Sequence, residues 1–245
     1  MNLKDKLNEK RSYYAKVAFA RYLGQGENFK KGVAAANRDD YQGMGLINGS
    51  ARRPGPLLPI TAIVRLKNAQ TTLMVAVESI ATYCKEIILI DNQSTDLSRE
   101  MIRELIKKYP DRMKSYTYET PLSRPGNGYL DRVRAGEGSH AEYCNYSFSL
   151  GSEEYLLKWD SDNLALPTFY THIGHGIARG FDRIYFDGVD LLGVFSCTNE
   201  GSVYKRSLDR KYVEGDFCEI LTFGEKDISK YTAPAPVFIH LKQLV

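Results

Sequence analysis

Two short apolar runs, each ending in a cluster of acidic residues, constrain this chain more than any other feature. Glu86-Ile87-Ile88-Leu89-Ile90 is nearly continuous in apolar residues and stops at Asp91-Asn92-Gln93-Ser94-Thr95-Asp96. A run this short, without alternation, suits a strand buried on both faces of a parallel sheet. Tyr155-Leu156-Leu157-Lys158-Trp159 repeats the design and stops at Asp160-Ser161-Asp162-Asn163. The segments around these runs read as further β and α elements. Residues 60–65 form a β-rich run, and residues 71–84 carry Leu73, Val77, Ile80, Ala81 and Cys84 at helical spacing. Residues 98–109 place Met101, Ile102, Leu105, Ile106 and Tyr109 on one helical face, ahead of Pro110-Asp111. Residues 113–119 read as a third strand, 120–137 as a long loop rich in Gly, Pro and Arg, and 139–150 as a helix. Alternating units of this kind predict an α/β fold with right-handed crossovers and a ligand crevice beyond the carboxyl ends of the strands. Both acidic clusters fall on that edge. After Ile184 the pattern loosens, with strand-like runs at 183–186, 202–205 and 235–241.

Charge divides the chain in two. Residues 1–56 hold 11 Lys/Arg against 5 Asp/Glu, whereas residues 57–245 hold 22 against 25. The small overall charge of +3 is therefore a cancellation, and it is too near balance for a protein that binds nucleic acid mainly by neutralising phosphates. We expect no nucleic-acid partner. The basic part is predicted to be an N-terminal helical extension and linker, and the remainder, 57–245, one folded domain. Within the extension, residues 3–23 can be written as a helix with Leu3, Leu7, Tyr14, Ala18 and Tyr22 near one face and six Lys/Arg around the rest. Such a helix either packs on the folded domain or makes peripheral contact with an anionic membrane. Gly24-Gln25-Gly26 breaks it, and Arg52-Arg53-Pro54-Gly55-Pro56 reads as linker. No run approaches the length of a bilayer span and the first residues lack a signal-peptide apolar segment, so the expected location is cytoplasmic. Cys84, Cys144, Cys197 and Cys218 are far apart and lack a Cys-x-x-Cys pair, which predicts reduced, mostly buried thiols rather than disulfides or a zinc site.

Asp160 and Asp162, one residue apart where a buried strand leaves the sheet, can bring their oxygens to one small volume. A few hard oxygen ligands suit Mg²⁺ or Mn²⁺ that keeps water and shares phosphate oxygens. Asp91, at the end of its own strand, either accepts a hydrogen bond from a nucleobase or ribose or ties its turn, as Asn92 and Ser94 can. His172 and His175 lie close enough for one helix face but lack a nearby Cys or carboxylate, so they read as surface or packing residues. Arg124, Arg132 and Arg134 in the long loop either close over an anionic ligand or are ordinary solvated charges. Trp159 beside Asp160, with a Tyr-rich composition, offers flat surfaces suited to sugar faces.

Residues 60–68, the block from Ile88 to Asp96 and the block from Tyr155 to Asn163 together closely resemble the family-2 glycosyltransferases of the GT-A fold. In that family a strand ending in Asp-Asn-x-Ser-x-Asp is followed downstream by a strand ending in Asp-x-Asp. Asn145 also resembles an Asn that the family carries on the helix before the Asp-x-Asp strand. The resemblance covers roughly residues 58–170. It implies a Rossmann-like, mostly parallel central sheet flanked by helices, with a nucleoside-diphosphate sugar bound across its first half. It places Asn68 and Asp91 on the nucleotide, Asp160 near the ribose or the metal, and Asp162 on an Mn²⁺ or Mg²⁺ ion. His240 resembles a C-terminal His that many such enzymes bring back to the metal or diphosphate, and Lys242 is set to assist with phosphate charge. Lys205, or its neighbour Arg206, is expected to face phosphate from a small-residue strand. The acceptor hydroxyl needs a base, which in inverting members is an acidic residue at the start of a helix in the second half. Glu214-Gly215-Asp216-Phe217-Cys218-Glu219-Ile220-Leu221 is the best local match, with Asp216 first and Glu219 and Glu214 next.

These features predict a metal-dependent glycosyltransferase that moves a sugar, from a UDP-sugar by preference, to a glycan or lipid-linked glycan acceptor in surface polysaccharide assembly. The alternative from a different class is a non-catalytic nucleotide-sugar or glycan-binding module on the same fold. A phosphohydrolase is disfavoured because the first strand ends in Arg65-Leu66-Lys67-Asn68 without a nucleophilic Asp. A nucleotidyltransferase is disfavoured because that segment lacks a Gly-rich phosphate loop.

Overall fold

The computed structural model describes residues 55–190, 197–224 and 227–241. The extension, including residues 3–23, and Lys242 lie outside the described residues. The first half alternates as the periodicity requires: β1 (Leu58–Leu66), α1 (Leu73–Ala81), β2 (Cys84–Asp91), α2 (Ser98–Lys108) and β3 (Met113–Thr117). The long loop contains one short helix, α3 (Tyr129–Arg134), and then come α4 (His140–Ser149) and β4 (Tyr155–Asp160). The second half runs β5 (Asn163–Ala165), α5 (Pro167–Ala178), β6 (Arg183–Asp190), β7 (Cys197–Lys205), β8 (Arg210–Glu214), β9 (Glu219–Phe223), β10 (Lys230–Thr232) and β11 (Phe238–His240).

The main sheet has the order β3-β2-β1-β4-β7-β6-β11-β5, with β10 on β6. Strands β3, β2, β1 and β4 are mutually parallel, so the ends of β1, β2 and β4 lie along one edge. Both faces are covered. Ala62, Val64, Leu89, Leu157 and Trp159 pack with α1, α2 and α5 on one face, while Ile63, Ile88, Ile90 and Leu156 pack with α4 and Tyr212 of β8 on the other. Burial on this scale favours the fold by roughly 1.5–3 kcal/mol for each large apolar side chain. Local signals fix the helix starts near the site. The Ser139 hydroxyl accepts from the backbone N–H of Glu142 at 2.8 Å at the start of α4, and Pro167 opens α5.

Two sequence expectations, at residues 214–221 and at Trp159, need correction. Residues 214–221 do not begin a helix: Glu214 and Glu219 face each other across an antiparallel hairpin, β8–β9, that turns through Gly215-Asp216-Phe217-Cys218. Phe217 and Ile220 of this hairpin are exposed, while Leu221 packs against the core. Trp159 offers no face to a sugar, because it is fully buried with its ring edge-on to Phe169 and Phe238. Cys218 is exposed at the hairpin turn, unlike the buried Cys84 and Cys144.

Candidate active site

Strand divergence makes the site. β7 lies between β4 and β6; its pairing with β4 runs only from Tyr155↔Lys205 to Leu157↔Val203, whereas its pairing with β6 continues to Phe186↔Gly201. The last residues of β4 therefore leave the β7 ladder and border a small open cleft lined by Lys158, Asp160, Asn163, Phe186, Gly201, Phe238 and His240. Gly201 is required at this border, because a Cβ there would stand 2.0 Å from the Phe186 ring.

The chain returns to the cleft at its far end. β11 lies parallel to β6 and antiparallel to β5, which sets His240 opposite Asn163. The N–H of Leu241 donates to the carbonyl of Asp162 at 2.8 Å, and His240 Nε2 lies 3.3 Å from Asp162 Oδ2. Asn163 is buried and its Oδ1 has no hydrogen-bond partner among the described residues. Asp160 is half exposed at the mouth, with Lys158 Nζ 3.9 Å from its Oδ1.

Asn68 and Asp91 hold the neighbouring loops. Asn68 adopts a left-handed backbone (φ 53°), a conformation Asn tolerates, and its Oδ1 accepts from the N–H of Thr95 at 2.8 Å. Its own N–H donates to the Ser94 hydroxyl at 2.8 Å. Asp91 is buried, accepts from the N–H of Ser94 and pairs with Arg99 Nε at 2.8 Å. Together these bonds stitch the β1–α1 and β2–α2 loops side by side at the sheet edge.

The three carboxylates considered as bases occupy different settings on the hairpin. Glu214 accepts hydrogen bonds from the hydroxyls of Tyr129 and Ser139. Glu219 is an ion-pair partner of Arg65, Nη2 to Oε1 3.3 Å, with both side chains largely buried. Burial would raise the Glu219 carboxyl, but Arg65 and Lys158 outweigh it and hold the group below the usual carboxylate range. Asp216 is exposed at the turn and makes no hydrogen bond or ion pair among the described residues. Asn145 of α4 anchors the hairpin, donating from Nδ2 to the Tyr212 carbonyl at 2.8 Å and accepting from the Tyr212 N–H at 2.9 Å.

Other expected residues stand apart. Lys205 pairs with Tyr155 at the start of β4, so it lies at the opposite end of that strand from Asp160, and its Nζ is bonded to the Gly180 carbonyl and Asp182, both at 2.9 Å. The expectation that Lys205 faces phosphate is thereby overturned. Hydrogen bonds from Ser229, then that from Lys205, pull the Asp182 carboxyl down to about 2. Arg206 donates to the Glu153 carbonyl at 3.0 Å beside the same end of β4. Arg132 braces its own loop through Ser123, Asn127 and Arg124, and Arg134 pairs with Asp131. His175 packs its ring against Tyr231.

Sequence reasoning passed over Arg65 and Lys158. The signal was present, since each is a cation inside a strand that is otherwise apolar, and Arg65 stands in register with Asp160. On that face Arg65 Nη1 donates to the Cys144 sulfur and its guanidinium lies over the Tyr143 ring.

A parallel β-α half carrying Asp-x-Asp at the end of its fourth strand, closed by antiparallel strands, defines the GT-A glycosyltransferase class. The fold matches solved structures of that kind. The Staphylococcus aureus TarS 1–349 structure aligns with a TM-score of 0.52 at 13% identity, over 75% of this chain and 60% of that one. Its complex with UDP-GlcNAc aligns with a TM-score of 0.53 at 14% identity, over 74% of this chain and 58% of that one. The chain thus spans about 60% of the length of these relatives. No curated protein matches the sequence. Residues 8–190 match the family described as Beta-1,4-N-acetylgalactosaminyltransferase (CgtA), and the chain belongs to that family.

Proposed function

We propose that the protein transfers a sugar from a nucleoside-diphosphate sugar, a UDP-sugar by preference, to a hydroxyl of a glycan or lipid-linked glycan, with inversion. Surface polysaccharide assembly is the setting this chemistry fits. The observation that carries the reading is the meeting of Asp162 and His240 at a cleft on the strand-end edge, 3.3 Å apart, beside Asp160. Family membership supports an amino-sugar such as N-acetylgalactosamine as the group transferred. The bound UDP-GlcNAc of TarS supports uridine as the nucleotide.

The donor set fits Mn²⁺ or Mg²⁺. Among the described residues no group of three or more His, Cys, Asp or Glu side chains is gathered closely enough to hold an ion by itself, so water and phosphate oxygens would have to complete its shell. Asp162 and His240 would hold it, with Asp160 at the mouth and the unpartnered buried Oδ1 of Asn163 as a further oxygen. When bound, such an ion neutralises charge that builds on the departing diphosphate. Asn68 and Asp91 shape the loops over which the nucleotide lies. Asp216 takes the proton of the acceptor hydroxyl, whose oxygen attacks the anomeric carbon as the bond to the diphosphate breaks. Asp216 is assigned this part because Glu214 and Glu219 are already engaged by Tyr129, Ser139 and Arg65. A base must reach the hydroxyl before its pKa matters.

Thermal-shift measurements with UDP-, GDP- and CMP-sugars, with and without Mn²⁺, test the reading. A donor at 100 times its dissociation constant adds about 2.7 kcal/mol of stability. A Mn²⁺-dependent shift with a UDP-sugar is the expected result, and a shift with none of the donors contradicts it.

A further inference from the structure

Lys158 has charged neighbours in Asp160 and Glu219 but no hydrogen-bonded partner among the described residues. On the same face of the sheet, the neighbouring strands carry Ile63, Ile88 and Ile90, all packed in the core. A lysine in this row forgoes that packing and loses rotamer freedom. Its Nζ makes no hydrogen bond among the described residues, and the nearest carboxylate oxygen, Asp160 Oδ1, is 3.9 Å away, beyond hydrogen-bond reach. Arg65, the other cation on this face of β1 and β4, is committed to Cys144 and Glu219. Lys158 makes no such hydrogen bond, and its side chain, 37% exposed, lines the cleft with Asp160, Asn163, Gly201 and His240.

Resting on the donor reading above, we propose that Lys158 binds the diphosphate of the nucleoside-diphosphate donor and stays with it as the leaving group. An ammonium on a flexible stem presents three donors to non-bridging phosphate oxygens without demanding a fixed plane. The divergence of β4 from β7 leaves the space it needs, and Asp160 keeps the ammonium at the mouth of the cleft until the donor arrives. Lys158 thereby selects a diphosphate over a monophosphate, because the charge it meets is the second phosphate, nearest the bond that breaks.

Titration of the full chain with UDP and with UMP in the presence of Mn²⁺ tests this, using wild type, Lys158→Met and Lys158→Arg. A charge-assisted contact predicts that Lys158→Met weakens UDP about tenfold while leaving UMP close to wild type. Lys158→Arg, which keeps the charge, recovers most of the loss. Equal losses for UDP and UMP, or no loss for UDP, overturn the proposal. If Lys158→Met does not fold, Lys158→Gln supplies the same comparison. A wild-type protein that binds neither nucleotide overturns the donor reading, and the proposal with it.

Discussion

His240 Nε2 lies 3.3 Å from Asp162 Oδ2, two residues brought together only because β11 closes antiparallel against β5. If these two groups hold the ion, Asp162→Asn and His240→Ala each reduce Mn²⁺-dependent donor affinity by at least about tenfold, the loss typical of even the outer partners of a metal site. Titration of Mn²⁺ at fixed UDP checks this. Variants with unchanged Mn²⁺ dependence would place the ion elsewhere.

Glu219 and Arg65 form a largely buried pair, so removing one leaves the other uncompensated. Glu219→Gln is expected to cost about 3 kcal/mol in urea unfolding. The folded carboxyl is held below its ordinary 4.5, so its contribution is present above that value and disappears as pH falls through the lowered folded value. The wild type should therefore lose part of its stability in that acid window, and Glu219→Gln should lose less. Parallel acid limbs for the two proteins would refute the pair's contribution.

Asn145 acts on the backbone of β8 as a ladder neighbour would. Asn145→Ala leaves the N–H and carbonyl of buried Tyr212 without these partners and should cost about 1–3 kcal/mol. The denaturant midpoint reads this directly, and a change below about 0.5 kcal/mol would show that the hairpin does not need the anchor.

The base assignment predicts a split among three variants. Asp216→Asn lowers kcat by about a hundredfold or more and leaves donor binding in place, as loss of a general base does. Glu214→Gln and Glu219→Gln act mainly on stability, through Tyr129, Ser139 and Arg65. Full transfer activity in Asp216→Asn would remove it from the mechanism.

The parallel half was legible because its signals are local. The apolar runs of β2 and β4 can be buried on both faces only in a covered sheet, and Leu73, Val77 and Ile80 keep helical spacing on α1. The hairpin was misread because Phe217, Ile220 and Leu221 also fall at helical intervals. The pairing of Glu214 with Glu219 depends on β8 docking against α4, which spacing along the chain does not encode. Lys158 and Lys205 show the same limit in reverse. Both are lysines on strands, and the antiparallel β4–β7 register sends one to the cleft and the other to the far edge.

The central claim is sugar transfer from a nucleoside-diphosphate donor at the edge built by Asp160, Asp162 and His240. Release of UDP from UDP-N-acetylgalactosamine and other UDP-sugars, measured with Mn²⁺ for wild type and Asp162→Asn, tests it most directly. UDP release by wild type from at least one of these donors, and its loss in Asp162→Asn, is the expected result. Release that is equal in both proteins, or absent from wild type with every donor and a panel of glycan acceptors, would contradict it.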